Sequence, residues 1–111
     1  MERKLMSIKM INAELAKEWI EAGEAILVDV REQSEYDAQN IPSAHLAPLG
    51  SLSCADLPSV DGKIIIHCQK GMRGNKACEK LLAENSGLEI YNLEGGIESW
   101  SAAGFKTHDA D

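Results

Sequence analysis

The 111-residue chain has no excess of positive charge: 11 Lys and Arg stand against 18 Asp and Glu, a formal net charge of -7. Neutralising a phosphate backbone needs clustered Lys and Arg, and outside one loop the basic residues are scattered, which argues against a nucleic-acid partner. No run approaches the ~18 apolar residues of a membrane span. The opening Met1-Glu2-Arg3-Lys4-Leu5-Met6 leads into no apolar core of the ~7–15 residues that a secretory signal carries. A cytoplasmic protein with no membrane partner is expected. Cysteine is scarce and odd in number: Cys54, Cys68 and Cys78 show no CxxC spacing, so neither a disulfide framework nor a zinc knuckle is expected, and free thiols in a reducing compartment are the simpler reading. His45 and His108 stand at no metal-ligand spacing from any cysteine or carboxylate, so no metal is expected.

What the chain does have is a 44% hydrophobic content arranged in short alternating runs. That suffices for one domain over residues 1–111, with an ordered core at about 7–106 and a frayed tail at 107–111. Ile8 to Ile11 reads as a first strand, and Asn12 caps a helix that carries Leu15, Trp19 and Ile20 on one face until Gly23. Ala25 to Val30 is apolar nearly throughout, the pattern of a strand covered on both faces. Ser34 is expected to cap a short helix through Ala38, before Ile41-Pro42 extends the backbone and Ala44 to Leu46 forms another strand. Pro48 to Gly62 reads as a connecting loop with one helical turn, closed by the Asp61-Gly62 turn into Ile64-Ile65-Ile66. Ala77, Cys78, Leu81 and Leu82 recur at helical spacing until Asn85-Ser86-Gly87, and Leu88 to Leu93 reads as the last strand. Ile97 and Trp100 then share a face of a final helix that Gly104 ends. Such alternation means an α/β domain with a mainly parallel sheet, whose ligands bind outside the carboxyl ends of the strands.

Cys68 stands at that edge, between the Ile64-Ile65-Ile66 strand and the following helix. The first backbone amides of a helix have no partner within it, and the helix dipole favours negative charge there, so a thiolate or a small anion is well held. Lys70 and Arg73 add positive charge. A thiol ordinarily titrating near ~8.5 becomes a nucleophile at neutral pH in such surroundings. Local positive charge on an acidic protein points to a small anionic substrate.

Three blocks in this order and spacing carry a resemblance. The first is Asp29-Val30-Arg31-Glu32 followed by Glu35-Tyr36 and Ile41-Pro42-Ser43-Ala44; the second is Cys68-x-x-Gly71-x-Arg73; the third is Glu94-Gly95-Gly96-Ile97-x-x-Trp100-x-x-Ala103-Gly104. Together they resemble the single-domain rhodaneses, which are sulfurtransferases, over roughly the whole chain. Gln39-Asn40 stands where that family usually has Gly-His, and Asn40, tolerant of positive φ, is expected to keep the turn. The resemblance implies a three-layer domain with a central, mainly parallel five-stranded sheet flanked by helices. It also implies a Cys68 persulfide that takes sulfur from thiosulfate, a polysulfide or another persulfide and passes it to cyanide or to a thiol such as glutathione or reduced thioredoxin. Backbone amides from Gln69, Lys70, Gly71, Met72, Arg73 and Gly74 would cradle the sulfur, with Lys70 on the anionic end of the donor and Arg73 either beside it or orienting the loop. No cofactor is needed.

Two other readings stay open. Cys68 could hold a persulfide for a partner protein, as a carrier or redox-binding module. A Cys-dependent phosphatase or arsenate reductase also places an arginine after its cysteine, but over five intervening residues, whereas four separate Cys68 from Arg73. Asp29 and Arg31, two apart at a strand end, read as an ion pair supporting the loops. His67 should point away from Cys68, because side chains alternate along a strand. Cys78 reads as core packing, Cys54 as structural or semi-exposed, and Trp19 and Trp100 as core anchors, Trp100 with the option of lining one wall of the site.

Overall fold

A computed structural model of the protein describes residues 8–58 and 62–110. Its central sheet is built from β1 (Lys9–Ile11), β2 (Ala25–Asp29), β4 (Ala44–Leu46), β5 (Lys63–His67) and β6 (Ile90–Leu93). The strand order is β1-β6-β5-β2-β4, with every pairing parallel. Four helices, α1 (Ala13–Glu21), α2 (Gln33–Ala38), α3 (Met72–Glu84) and α4 (Gly96–Ala102), join or follow these strands. The fold is therefore the expected α/β arrangement of a five-stranded parallel sheet flanked by helices.

The middle strand explains why the sheet sits inside. Ile64, Ile65 and Ile66 of β5 are each 0% exposed, as befits a strand covered on both faces, and each buried side chain contributes about 1.5–3 kcal/mol relative to exposure. Alternation then splits the core into two layers. Ile64 and Ile66 pack with Val28, Ala77, Cys78, Leu81 and Leu82 on the α3 side. Ile65 packs with Leu27, Tyr91, Leu93, Ile97 and Trp100 on the side of α1 and α4. Because all five strands run the same way, their carboxyl ends share one edge, and the chain leaves β5 there at Cys68.

Local signals act mostly as read. Asn12 accepts from the Leu15 amide at 2.8 Å, and Gly23 follows α1 with φ +75. The cap of α2 is not Ser34, which lies inside the helix. It is Glu32, in a reciprocal capping box with Glu35, where a longer carboxylate reaches the third amide as a Ser would. The loop after Pro48 holds two 3₁₀ turns, Leu49–Ser51 and Cys54–Asp56. β6 is not the last strand: β7 (His108–Asp109) pairs antiparallel with β3 (Gln39–Asn40). The tail expected to fray is thus tied down in part, and the Ala110 amide donates to the Ala38 carbonyl at 2.8 Å. Asn40 does not adopt positive φ; it is a strand residue whose amide donates to the Tyr36 carbonyl at 3.0 Å. The readings made at Met1 to Met6, at Asp61 and at Asp111 lie outside the described residues.

Candidate active site

At the end of β5 the chain turns sharply into α3. Gly71, the residue before the helix, has φ +115, a backbone state closed to most L side chains. The turn aims two backbone amides at one atom: Gly71 N and Gly74 N donate to Cys68 Sγ at 3.0 and 3.3 Å. The second of these belongs to the first turn of α3, whose leading amides lack partners inside the helix. Cys68 is 1% exposed, yet it lines an open depression of about 260 Å³ together with Gln69, Lys70, Met72 and Arg73. A buried sulfur facing both backbone donors and an opening can hold negative charge and still meet a small reactant.

The loop is held from two sides. Beneath it, buried Asn92 of β6 donates from Nδ2 to the Gly71 carbonyl and to Asn75 Oδ1, both at 2.9 Å. Asn92 fits only because residue 74 is glycine: a Cβ there would lie 2.1 Å from Asn92 Oδ1. That oxygen has no hydrogen-bond partner among the described residues. From α4, the Ile97 and Glu98 amides donate to the Cys68 and Gln69 carbonyls at 2.9 and 3.2 Å. Gly96 permits this approach, since a Cβ on it would fall 2.4 Å from the Cys68 carbonyl oxygen.

A buried network braces the other flank. Arg31 donates from Nε to Asp29 Oδ1 at 3.0 Å and from a terminal nitrogen to Oδ2 at 2.8 Å. It donates further to Gln69 Oε1 at 3.0 Å and to the Gln39 carbonyl at 2.6 Å. The guanidinium fork is thus divided between the carboxylate and the loop, and Arg31 does not line the depression. His67 points away from Cys68 Sγ: its Nδ1–H donates to the Cys68 carbonyl at 3.1 Å, and Nε2 lies 3.6 Å from Asp29 Oδ2. Burial pushes the imidazole pKa down, with Asp29 opposing it in part.

The candidate substrate contacts separate into two kinds. Lys70 is exposed, and among the described residues it has no salt-bridge partner. Met72 is 81% exposed at the rim. Gln69 is tethered, accepting from Arg31 and donating to Glu98 Oε2 at 3.3 Å. Arg73 turns to Glu35 of α2, with its two terminal nitrogens 2.7 and 2.9 Å from the two carboxylate oxygens. The Arg73 hydrogen bond is the chief reason the Glu35 carboxyl is held at a pKa of about 2, against the opposing effect of burial.

Sequence reading had missed two of these participants, Asn92 and the α4 amides, and had named Glu35 in the first block without its partner Arg73. Asn92 carried a visible signal, a polar residue in the otherwise apolar Ile90-Tyr91-Asn92-Leu93. The α4 amides carried none beyond the Gly95-Gly96 turn. Cys78, expected in the core, is there: burial above all raises its thiol pKa to about 12. Cys54 is half-buried, its thiol pushed up by burial and by Glu84. Trp100 lies away from Cys68 and borders a second depression with Ile41 and Pro42. Among the described residues no His, Cys, Asp and Glu group is placed to hold a metal ion, and no helix is long and apolar enough to cross a membrane.

A family model described as Rhodanese-like domain matches residues 12–103. An uncharacterized protein of Synechocystis sp. is 39% identical over 84 residues, which cover 74% of this chain and 46% of that protein. The chain thus spans under half of that relative's length. A thiosulfate sulfurtransferase GlpE of Coxiella burnetii is 26% identical over 98 residues, covering 87% of this chain and 91% of that protein. Among solved structures, a rhodanese-related protein of Thermoplasma volcanium superposes with a TM-score of 0.77 at 30% identity, covering 90% of this chain and 97% of that one.

Proposed function

The chain belongs to the rhodanese-like domain family, and we propose that it is a sulfurtransferase working through a persulfide on Cys68. The observation that carries this reading is the convergence of the Gly71 and Gly74 amides on Cys68 Sγ beside an open depression. In the first half-reaction the Cys68 thiolate attacks the outer sulfur of the donor. A sulfur–sulfur bond forms to Cys68, the donor's bond to that sulfur breaks, and the leaving group departs with the electron pair: sulfite from thiosulfate, or a thiolate from a persulfide. In the second half-reaction an acceptor, cyanide or a thiolate, attacks the same outer sulfur and the Cys68 thiolate leaves, restored. The two amides stabilise charge on sulfur at each stage, as an oxyanion hole does on oxygen. No redox partner is required, because the transferred sulfur keeps its oxidation level.

Arg73 speaks against the phosphatase alternative. Phosphate capture needs an arginine whose charge faces the anion uncompensated, and Arg73 is paired bidentately with the Glu35 carboxylate. The carrier reading draws on Met72, whose exposed side chain at the rim is an apolar contact available to a partner protein that brings or takes the sulfur. All three cysteines are free thiols, in keeping with the reducing, cytoplasmic setting proposed for it.

Intact-protein mass spectrometry after incubation with thiosulfate, polysulfide or a cysteine desulfurase tests the proposal. A gain of one sulfur, about 32 Da, on Cys68 is expected. No gain from any of the three sinks the sulfurtransferase reading, whereas a gain from the desulfurase with no turnover of free donors selects the carrier.

A further inference from the structure

We infer that Glu35 sets the donor class of this site, by neutralising Arg73 at its edge, so that the site takes organic hydropersulfides in preference to the dianion thiosulfate. The inference rests on the sulfurtransferase reading and narrows it. Among the described residues two cations line the depression, Lys70 and Arg73, and of the two Arg73 is the one with an acidic partner. A bidentate pair uses the arginine's fork for one carboxylate, and Glu35 holds that fork with both oxygens while also accepting the Glu32 amide at 2.9 Å. The carboxylate is therefore fixed by its own helix before it meets Arg73. It cannot swing aside for an incoming anion without losing the cap of α2.

The charge around the mouth follows directly. Arg73 and Glu35 cancel, and among the described residues Lys70 remains as the one cation lining the depression without an acidic partner. Glu98, tied to Gln69 at 3.3 Å, adds an exposed negative charge on the far side of the loop. A thiosulfate dianion brings two charges to a mouth that offers one, whereas a hydropersulfide, R–S–SH, brings at most one and an apolar body. The exposed Met72 side chain sits where that body would rest. The transfer balances without an added reactant: the Cys68 thiolate attacks the terminal sulfur of R–S–SH, giving the Cys68 hydropersulfide and the thiolate of R.

The test compares kcat and KM for thiosulfate and for 2-hydroxyethyl hydropersulfide in the wild-type protein, Glu35→Gln, and Glu35→Gln/Arg73→Gln. Glutamine at this third helical position still accepts the Glu32 amide, so the capping box survives while the charge is lost. Releasing one cation beside the anion should lower the thiosulfate KM of Glu35→Gln by about tenfold at low salt, with kcat and the hydropersulfide KM held within about twofold. The gain should shrink as ionic strength rises, and the double variant should lose it. Equal changes for both donors, a gain that persists in the double variant, or a gain untouched by salt would each overturn the inference while leaving the sulfurtransferase reading intact. Should the single variant fail to fold, the wild-type protein still decides: a higher kcat/KM for thiosulfate than for the hydropersulfide overturns the inference. A wild-type protein that loads no sulfur from either donor brings down the parent reading itself.

Discussion

Cys68 and Cys78 are equally hidden from solvent, at 1% and 0% exposure, and they belong to the same apolar cluster, yet their sulfurs meet opposite surroundings. Cys68 receives two backbone amides and borders an opening. Cys78 is set one turn after Gly74 in α3, among Leu81, Leu82, Ile64 and Ile66, and its pKa of about 12 reflects burial first, then the charges of Glu79 and Cys68. Burial alone thus says nothing about reactivity. What decides it is whether the polar groups that desolvation leaves near the sulfur are donors aimed at it or none at all.

The largest consequence is chemical selectivity. At pH 8 a thiol with a pKa of about 12 is ionised in roughly one molecule in ten thousand, so iodoacetamide should alkylate Cys68 in the folded protein and leave Cys78 untouched. In urea the two should react alike. Cys68→Ser should reduce sulfur uptake to background, and Cys78→Ala should leave it intact. Peptide mapping that finds Cys78 labelled as fast as Cys68 in folded protein breaks the comparison.

A smaller and more informative effect comes from the packing under the loop. Gly74→Ala puts a methyl group 2.1 Å from Asn92 Oδ1, and either Asn92 or the start of α3 must shift. If the Gly74 amide moves off Cys68 Sγ, sulfur transfer should fall about 10–100-fold, somewhat less than the loss of a donor to a developing oxyanion. Stability should fall by about 1–3 kcal/mol from overpacking. Adding Asn92→Ala makes room for the methyl group and should recover stability better than activity, since it also releases the Gly71 carbonyl. Transfer at wild-type rates in Gly74→Ala would mean that the amides do not matter to the sulfur.

How far this contrast was legible in the sequence depends on the range of each interaction. The strand before Cys68, the helix after it and the spacing of Leu81 and Leu82 are local patterns, and they placed Cys68 at the strand end and consigned Cys78 to the core. Asn12 likewise revealed its role because its partner is three residues away. The Glu35–Arg73 pair joins residues 38 apart, and the Asn92–Gly71 bond joins residues 21 apart. No periodicity brings such partners together; the strand order does. Ser34 misled for a local reason, because a Ser near a helix start is the commoner cap and Glu32 performs the task with a longer reach. β3 and β7, two residues each, are too short for alternation to register.

The smallest effect tests the quiet side of the comparison. Cys78→Ser keeps the shape of the side chain and exchanges a weakly polar thiol for a hydroxyl that must find a partner or remain unsatisfied. Buried without one it costs about 1–3 kcal/mol, and a bond back to the carbonyl one turn earlier in α3 offsets part of that at the expense of a slight bend. A urea midpoint lowered by that amount with an unchanged slope is expected, together with a sulfur-transfer rate within about twofold of wild type, because a ΔΔG in the core does not reach the Cys68 amides unless α3 moves. The matching Cys78→Ala variant separates the outcomes. If Ser slows transfer tenfold and Ala does not, a bend in α3 has carried the Gly74 amide away from Cys68, and the two cysteines are coupled through the helix rather than merely neighbours in the core.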